Sequence, residues 1–133
     1  MKKTNFEKVR EFEEIFGNTI SDVPTIRDEK TKQLRINLIE EEFTELKQAL
    51  ENNDIVEIAD ALGDILYVTY GTGLHYGINL DEIVEEIHSS NLSKLDENNN
   101  PIFRESDGKI LKGPNYRKPD LSSIINKYLN ENT

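Results

Sequence analysis

Residues 54–77 read DIVEIADALGDILYVTYGTGLHYG, the most apolar stretch of the chain. Its apolar residues are too dense for a single stripe, so it reads as a helix at the centre of a bundle rather than on its surface. Asp54 is placed to cap the start, and Gly77 to stop the end. Gly63, Gly71 and Gly73 lie inside, each costing about 1 kcal/mol against alanine in a helix interior, and read as points of close helix packing. Three acids, Glu57, Asp60 and Asp64, are embedded among these apolar residues.

Working outward, a helix from about Glu29 to about Asn52 precedes the central one. Leu34, Leu38, Ile39, Phe43, Leu46 and Leu50 recur in it at steps of three and four, Asp28 is its cap, and Asn52–Asn53 break it. Thr4–Phe16 reads as a first helix with Phe6, Val9, Phe12, Ile15 and Phe16 as its apolar side, stopped by Gly17 before the loop GNTISDVP. A fourth helix, about Leu80 to Leu92, turns Ile83, Val84 and Ile87 inward. After it, PIFRESDGKILKG carries an Asp-Gly turn between short alternating runs and predicts a β-hairpin, Ile102–Arg104 against Lys109–Leu111. The basic stretch KGPNYRKP holds two prolines and is not helical throughout, and Leu121–Leu129 reads as a short last helix. The expectation is an all-α bundle of four to five helices with a small C-terminal β-hairpin and a basic tail. It forms a single domain over 1–133, with its core at about 29–95 and the hairpin and tail at about 96–133.

The balance of residue types narrows the function. A chain of 133 residues is the size of one domain, and a small one has much surface for its volume, so a subunit interface would supply further burial. The net charge of −10 and the isoelectric point near 4.7 argue against nucleic-acid or anionic membrane binding, which need basic patches. A nucleotide remains compatible, because a divalent cation can bridge acidic protein to phosphate. Without cysteine there is neither disulfide nor thiolate-bound zinc. No apolar run approaches about 20 residues, and charges interrupt the N-terminus early, so the cytoplasm is the expected location.

The acids carry the chemistry. Glu41, Glu42 and Glu45 of the second helix share an arc of about 100°, and Glu57, Asp60 and Asp64 of the third share about 60°. No lysine or arginine lies between Gln48 and Lys94, so intrahelical ion pairs are closed to the third helix. Carboxylates gathered in a partly buried place without cations must protonate or repel. A hard divalent ion relieves both, and a donor set of oxygens selects Mg²⁺, with Mn²⁺ as substitute, over zinc. The plainer alternative is a solvated acidic stripe on each helix. Arg35 lies two turns before Glu42 and is placed to reach phosphate or pair with that acid. Lys112, Tyr116, Arg117 and Lys118 form the basic cluster after Lys94, either closing over phosphates or remaining a solvated tail.

Glu42-x-x-Glu45 followed by Glu57-x-x-Asp60 resembles the paired acidic signature of the all-α NTP pyrophosphohydrolases, which include MazG, dimeric dUTPase-like enzymes and phosphoribosyl-ATP pyrophosphohydrolase. The run from Asp60 to Leu95, and the tail DGKILKGPNYRKPDL, are similar to a MazG-like branch of bacteria and their phages, so the resemblance covers about Arg35 to Leu121. The spacing from Glu45 to Glu57 is short for the pattern. A second register takes Asp64, followed by Ile65-Leu66-Tyr67, as the acid of the second pair. It leaves Ala61 where the partner glutamate would stand, with Asp60 beside it.

The resemblance implies Mg²⁺-dependent cleavage of a nucleoside triphosphate to monophosphate and pyrophosphate, with a role in cleaning nucleotide pools. It implies metal ligation by Glu42, Glu45, Glu57 and Asp60, Asp64 as an additional ligand and Glu41 as the base. It also implies substrate contacts from Asn91 and Lys94, and a homodimer or homotetramer. Two rivals stand beside it. A di-iron bundle needs Glu-x-x-His on two helices, which Glu85-x-x-His88 supplies once while Thr72 stands three residues before His75. A non-enzymatic helical module would use the acids to bind a basic partner.

Overall fold

The structure, a computed structural model, describes residues 2–131. Among these, five helices follow in order: α1 Asn5–Ile15, α2 Glu29–Glu51, α3 Ile55–His75, α4 Leu80–Leu92 and α5 Leu121–Glu131. The starts obey the capping signals. Thr4 Oγ1 accepts from the Glu7 amide at 3.1 Å while Glu7 returns the bond to the Thr4 amide at 2.7 Å, a reciprocal box. Asp28 caps α2 through the Thr31 amide, and Asp54 caps α3 through that of Glu57. Only Asn52, Asn53 and Asp54 separate α2 from α3, and Asn53 takes a left-handed φ of 53°. So short a break folds α3 back along α2 as an antiparallel hairpin.

The described chain divides into two compact units, residues 2–80 and Asp81–Glu131. In the first, Phe6 and Val9 of α1 and Leu74 of α3 form the buried core, with Ile20, Tyr70 and Leu80 packed against it. The loop between α1 and α2 is tied to the end of α3. The amides of Ser21 and Thr25 and the guanidinium of Arg27 donate to the carbonyls of Leu74, Tyr76 and His75 at the helix end, where acceptors run short of partners, and the Leu74 carbonyl also accepts from the Gly77 amide. Gly77, at φ 69°, lies under this strap, and a Cβ there would sit 2.0 Å from the Val23 carbonyl oxygen. Gly71 and Gly73 are close-approach points, against Arg35 and Leu80 respectively, but a Cβ on Gly63 would meet nothing.

In the second unit the tail is fastened along α4. Ser90 Oγ donates to the Arg117 carbonyl at 2.8 Å, and the Arg117 amide donates to Ser93 Oγ at 2.9 Å. Glu82 accepts from Lys127 and Tyr128 of α5. The Gly113 amide donates to the Lys94 carbonyl at 2.8 Å.

Two expectations are corrected. In place of the β-hairpin, residues 102–111 form a turn with one antiparallel bridge, Phe103 to Ile110, and no strand occurs among the described residues. The Asp107 carboxylate ties the turn by accepting from Arg104 and the Lys109 amide, but two three-residue arms without a third strand are too short to propagate a ladder. The second concerns the apolar stripes: Leu34, Phe43 and Leu50 of α2 and Val84 and Ile87 of α4 are exposed. No helix among the described residues is long and apolar enough to cross a membrane.

The Gly77→Ala variant is expected to lose about 2 kcal/mol or more of stability, from a left-handed φ and a backbone collision together, read as a lowered midpoint in thermal or urea unfolding.

Candidate active site

The antiparallel pairing of α2 and α3 sets which acids meet. One carboxylate oxygen each from Glu42, Glu45 and Asp64 lies within 4.8 Å of the other two. Glu42 is half-buried, and its Oε2 is shielded from solvent with no hydrogen-bond partner. Burial holds the Glu42 carboxyl above its usual range, reinforced by Glu45, Asp64 and Asp60. An orphaned, shielded oxygen among like charges fits an all-oxygen hard-cation ligand set, and no histidine joins the cluster among the described residues.

The remaining expected acids lie at other heights. Asp60, one turn before Asp64, is exposed and acts on Glu42 through its charge. Glu57 is a further turn away and exposed. With Gln48, Asn52 and Asp60 it lines a cavity beside the cluster, together with the buried Ala49 and Ala61. Ala61 lies on the side of α3 facing this cavity, where the second register requires an acid. Glu41 is exposed and borders a shallow depression shared with Asn37, Glu40, Thr44 and Glu45, so it is a neighbour of the cluster and not a member.

Arg35 is buried. Its Nε donates to Thr72 Oγ1 at 3.0 Å and its Nη2 to the Val68 carbonyl at 2.9 Å. Burial lowers its pKa, and the Glu13 carboxylate offsets part of that effect. Asn91, Lys94, Lys112, Tyr116 and Arg117 all belong to the second unit. Asn91 is exposed at the end of α4, and Lys94 follows it half-buried. The Lys112 ammonium sits 4.7 Å from the Tyr116 ring centroid. The Arg117 guanidinium pairs with Glu86 and donates to Ser89 Oγ at 2.7 Å.

A second polar cluster is not evident from the sequence. Glu13 of α1 is buried and accepts from Asn18 Nδ2 at 2.6 Å. His75 Nε2 lies 3.3 Å from Glu13 Oε2, and His75 Nδ1 is shielded without a partner. Burial holds the imidazole below its usual pKa against the pull of Glu13, and Arg35 adds to the lowering. The one hint in the sequence was an acid on the inward side of an otherwise apolar stripe, one residue from Phe12.

The sequence model of the phosphoribosyl-ATP pyrophosphohydrolase family matches residues 9–91, from α1 through nearly all of α4. An uncharacterized protein of Acanthamoeba polyphaga mimivirus is 43% identical over 114 residues. That alignment takes in 79% of this chain but 45% of the viral protein, so the chain spans less than half the length of this relative. Among solved structures, one from Exiguobacterium sp. 255-15, assigned by name to the NTP pyrophosphohydrolases, shares the fold with a TM-score of 0.58 at 21% identity over all of both chains.

Because the folded-state pKa of Glu42 is raised, metal-free protein loses stability as pH rises from the ordinary carboxylate range through that pKa. Glu42→Gln is therefore expected to stabilise the metal-free protein by about 1 kcal/mol at neutral pH, the difference shrinking toward acid. Chemical unfolding in the presence of a chelator at two pH values checks it.

Proposed function

This chain belongs to the phosphoribosyl-ATP pyrophosphohydrolase family, and from that premise we propose that it is a Mg²⁺-dependent nucleoside triphosphate pyrophosphohydrolase, converting a (d)NTP to the (d)NMP and pyrophosphate within one domain over 1–133. The observation that carries the reading is the convergence of Glu42, Glu45 and Asp64 with an unpartnered oxygen on Glu42. These three would hold the ion, with Asp60 one turn away as a further ligand and Glu57, another turn along the same groove, as a ligand for a second ion. A bound Mg²⁺, or Mn²⁺ in its place, would supply positive charge against the triphosphate and the leaving pyrophosphate.

The chain's own groups would do the rest. Glu41, exposed beside Glu45, would take the proton from the attacking water. Lys94 and Asn91 would donate to phosphate oxygens, joined by Lys112, Tyr116 and Arg117 once Arg117 exchanges Glu86 for phosphate. Arg35, the other substrate contact expected from the sequence, is committed to the Val68 and Thr72 oxygens and is not assigned to phosphate. The proposed role is house-cleaning of nucleotide pools in the cytoplasm.

Assembly of a homodimer or homotetramer is part of the proposal. Ile55, Val56, Leu62 and Leu66 are exposed on the N-terminal half of α3, around a glycine whose missing side chain faces open space. A contiguous apolar sector on a helix is a subunit surface before it is a solvent surface. A second copy, presenting the same sector, is the occupant proposed.

Two measurements bear on this. Pyrophosphate release from a nucleotide panel that includes phosphoribosyl-ATP is expected to need Mg²⁺ or Mn²⁺ and to favour a (d)NTP. Because even groups that only support metal ligands matter 10–100-fold, Glu45→Gln and Asp64→Asn are each expected to cost at least roughly 100-fold. Unchanged rates in both variants would defeat the assignment. Separately, light scattering is expected to report an oligomer for the wild type and a smaller species for Leu66→Asp.

A further inference from the structure

Arg35 and Glu42 stand two helical turns apart on α2, about 10 Å along its axis. Val68 and Thr72, which receive the Arg35 guanidinium, stand one and two turns beyond Asp64 on α3. The guanidinium therefore crosses the same seam on which the carboxylates meet. Gly71 gives it room: a Cβ there would sit 2.7 Å from Arg35 Nη2 and 3.0 Å from Glu13 Oε1, so both side-chain ends would have to shift. Glu13 brings α1 to this point and is fixed by Asn18 and His75. Three helices thus meet here, α2 joined to α3 by the Arg35 bonds and α1 to α3 by the Glu13–His75 contact, with the Glu13 charge acting on Arg35 without a direct bond.

Apolar contact alone would not fix the axial register of this hairpin. The seam is lined by small residues, with Ala49 and Ala61 buried toward its turn and Gly71 toward its far end. A sliding step of one residue displaces Asp64 by about 1.5 Å along the axis and about 100° around it. That is enough to separate three oxygens gathered within 4.8 Å. The fork of Arg35 has two acceptors at fixed positions on α3, and its geometry admits one register.

We propose that the node of Arg35, Glu13 and Gly71 positions the carboxylates of Glu42, Glu45 and Asp64, so that Arg35 acts on the metal centre through helix register and not by touching phosphate. The inference rests on the reading that those three acids hold the ion.

The test measures Mn²⁺ binding to the full chain without nucleotide, by electron paramagnetic resonance of the free ion, alongside thermal midpoints. Because a supporting group of a metal site is worth 10–100-fold, Arg35→Met is expected to weaken Mn²⁺ binding by about tenfold or more. Arg35→Lys, which keeps the charge and loses the fork, is expected to weaken it too, and stands in should Arg35→Met not fold. Val9→Ala, a core truncation outside the node, is expected to lower the thermal midpoint with Mn²⁺ affinity close to wild type. At saturating Mn²⁺ the KM for nucleotide in the Arg35 variants is expected to match wild type. The proposal is overturned if folded Arg35 variants bind Mn²⁺ as wild type does, or no worse than Val9→Ala. It is equally overturned if KM rises while Mn²⁺ affinity holds, which would make Arg35 a phosphate contact. Wild type binding Mn²⁺ no better than Glu42→Gln and Asp64→Asn would instead fell the metal reading, and this inference with it.

Discussion

Mutual repulsion among Glu42, Glu45 and Asp64 is the constraint around which the first unit is organised. Three carboxylate oxygens within 4.8 Å oppose the packing of α2 on α3, and burial first and the neighbouring acids second hold the Glu42 carboxyl above its usual range. The hairpin survives it because forces elsewhere on the same seam are favourable: a tight turn at Asn52–Asp54, buried alanines beside it, and the Arg35 fork at the other end. On the proposed reading, stability and chemistry pull in opposite directions here, as they do at a site that receives an ion.

Most of the helical frame was legible because helix ends are local chemistry. Asp28 and Asp54 cap where their side chains and neighbours predict, Thr4, read as the first helical residue, is itself the cap, and Gly17 and Gly77 stop helices where a left-handed residue is needed. The short 102–111 segment was misread as a hairpin because alternation reports a preference for extended backbone, whereas a ladder needs further strands to pair with. The outward turn of Leu34, Phe43 and Leu50 was illegible for a related reason. Periodicity identifies an apolar side and is silent on whether this chain or another covers it.

The acids show the same limit more sharply. An ideal helix puts Glu57, Asp60 and Asp64 within one narrow arc, and azimuth was all the spacing could give. Height along the axis is set by the partner helix. Seven residues separate Glu57 from Asp64, about 10 Å, so only one of the three can stand level with Glu42. The level residue is Asp64, which is the acid of the second register, and Asp60 contributes charge from one turn away. Glu13 and His75 escaped notice because an acid on the inward side of α1 shows no partner in the sequence and His75 looks ordinary on its own helix. Their meeting across 62 residues of sequence is a tertiary event.

Helix length carries the last step. α1 has 11 residues and α3 has 21, spans of about 16 and 31 Å, so α1 can shelter only half of α3. The half it shelters holds Tyr70, Gly71, Leu74 and His75, the core and the polar node. The half it leaves bare holds Ile55, Val56, Leu62 and Leu66 on one side and Glu57, Asp60 and Asp64 on another. The apolar sector and the acids therefore occupy the same axial stretch of one helix. A partner seated on the first would stiffen the backbone that carries the second, so assembly and ion binding, as proposed for this chain, would act on one and the same segment.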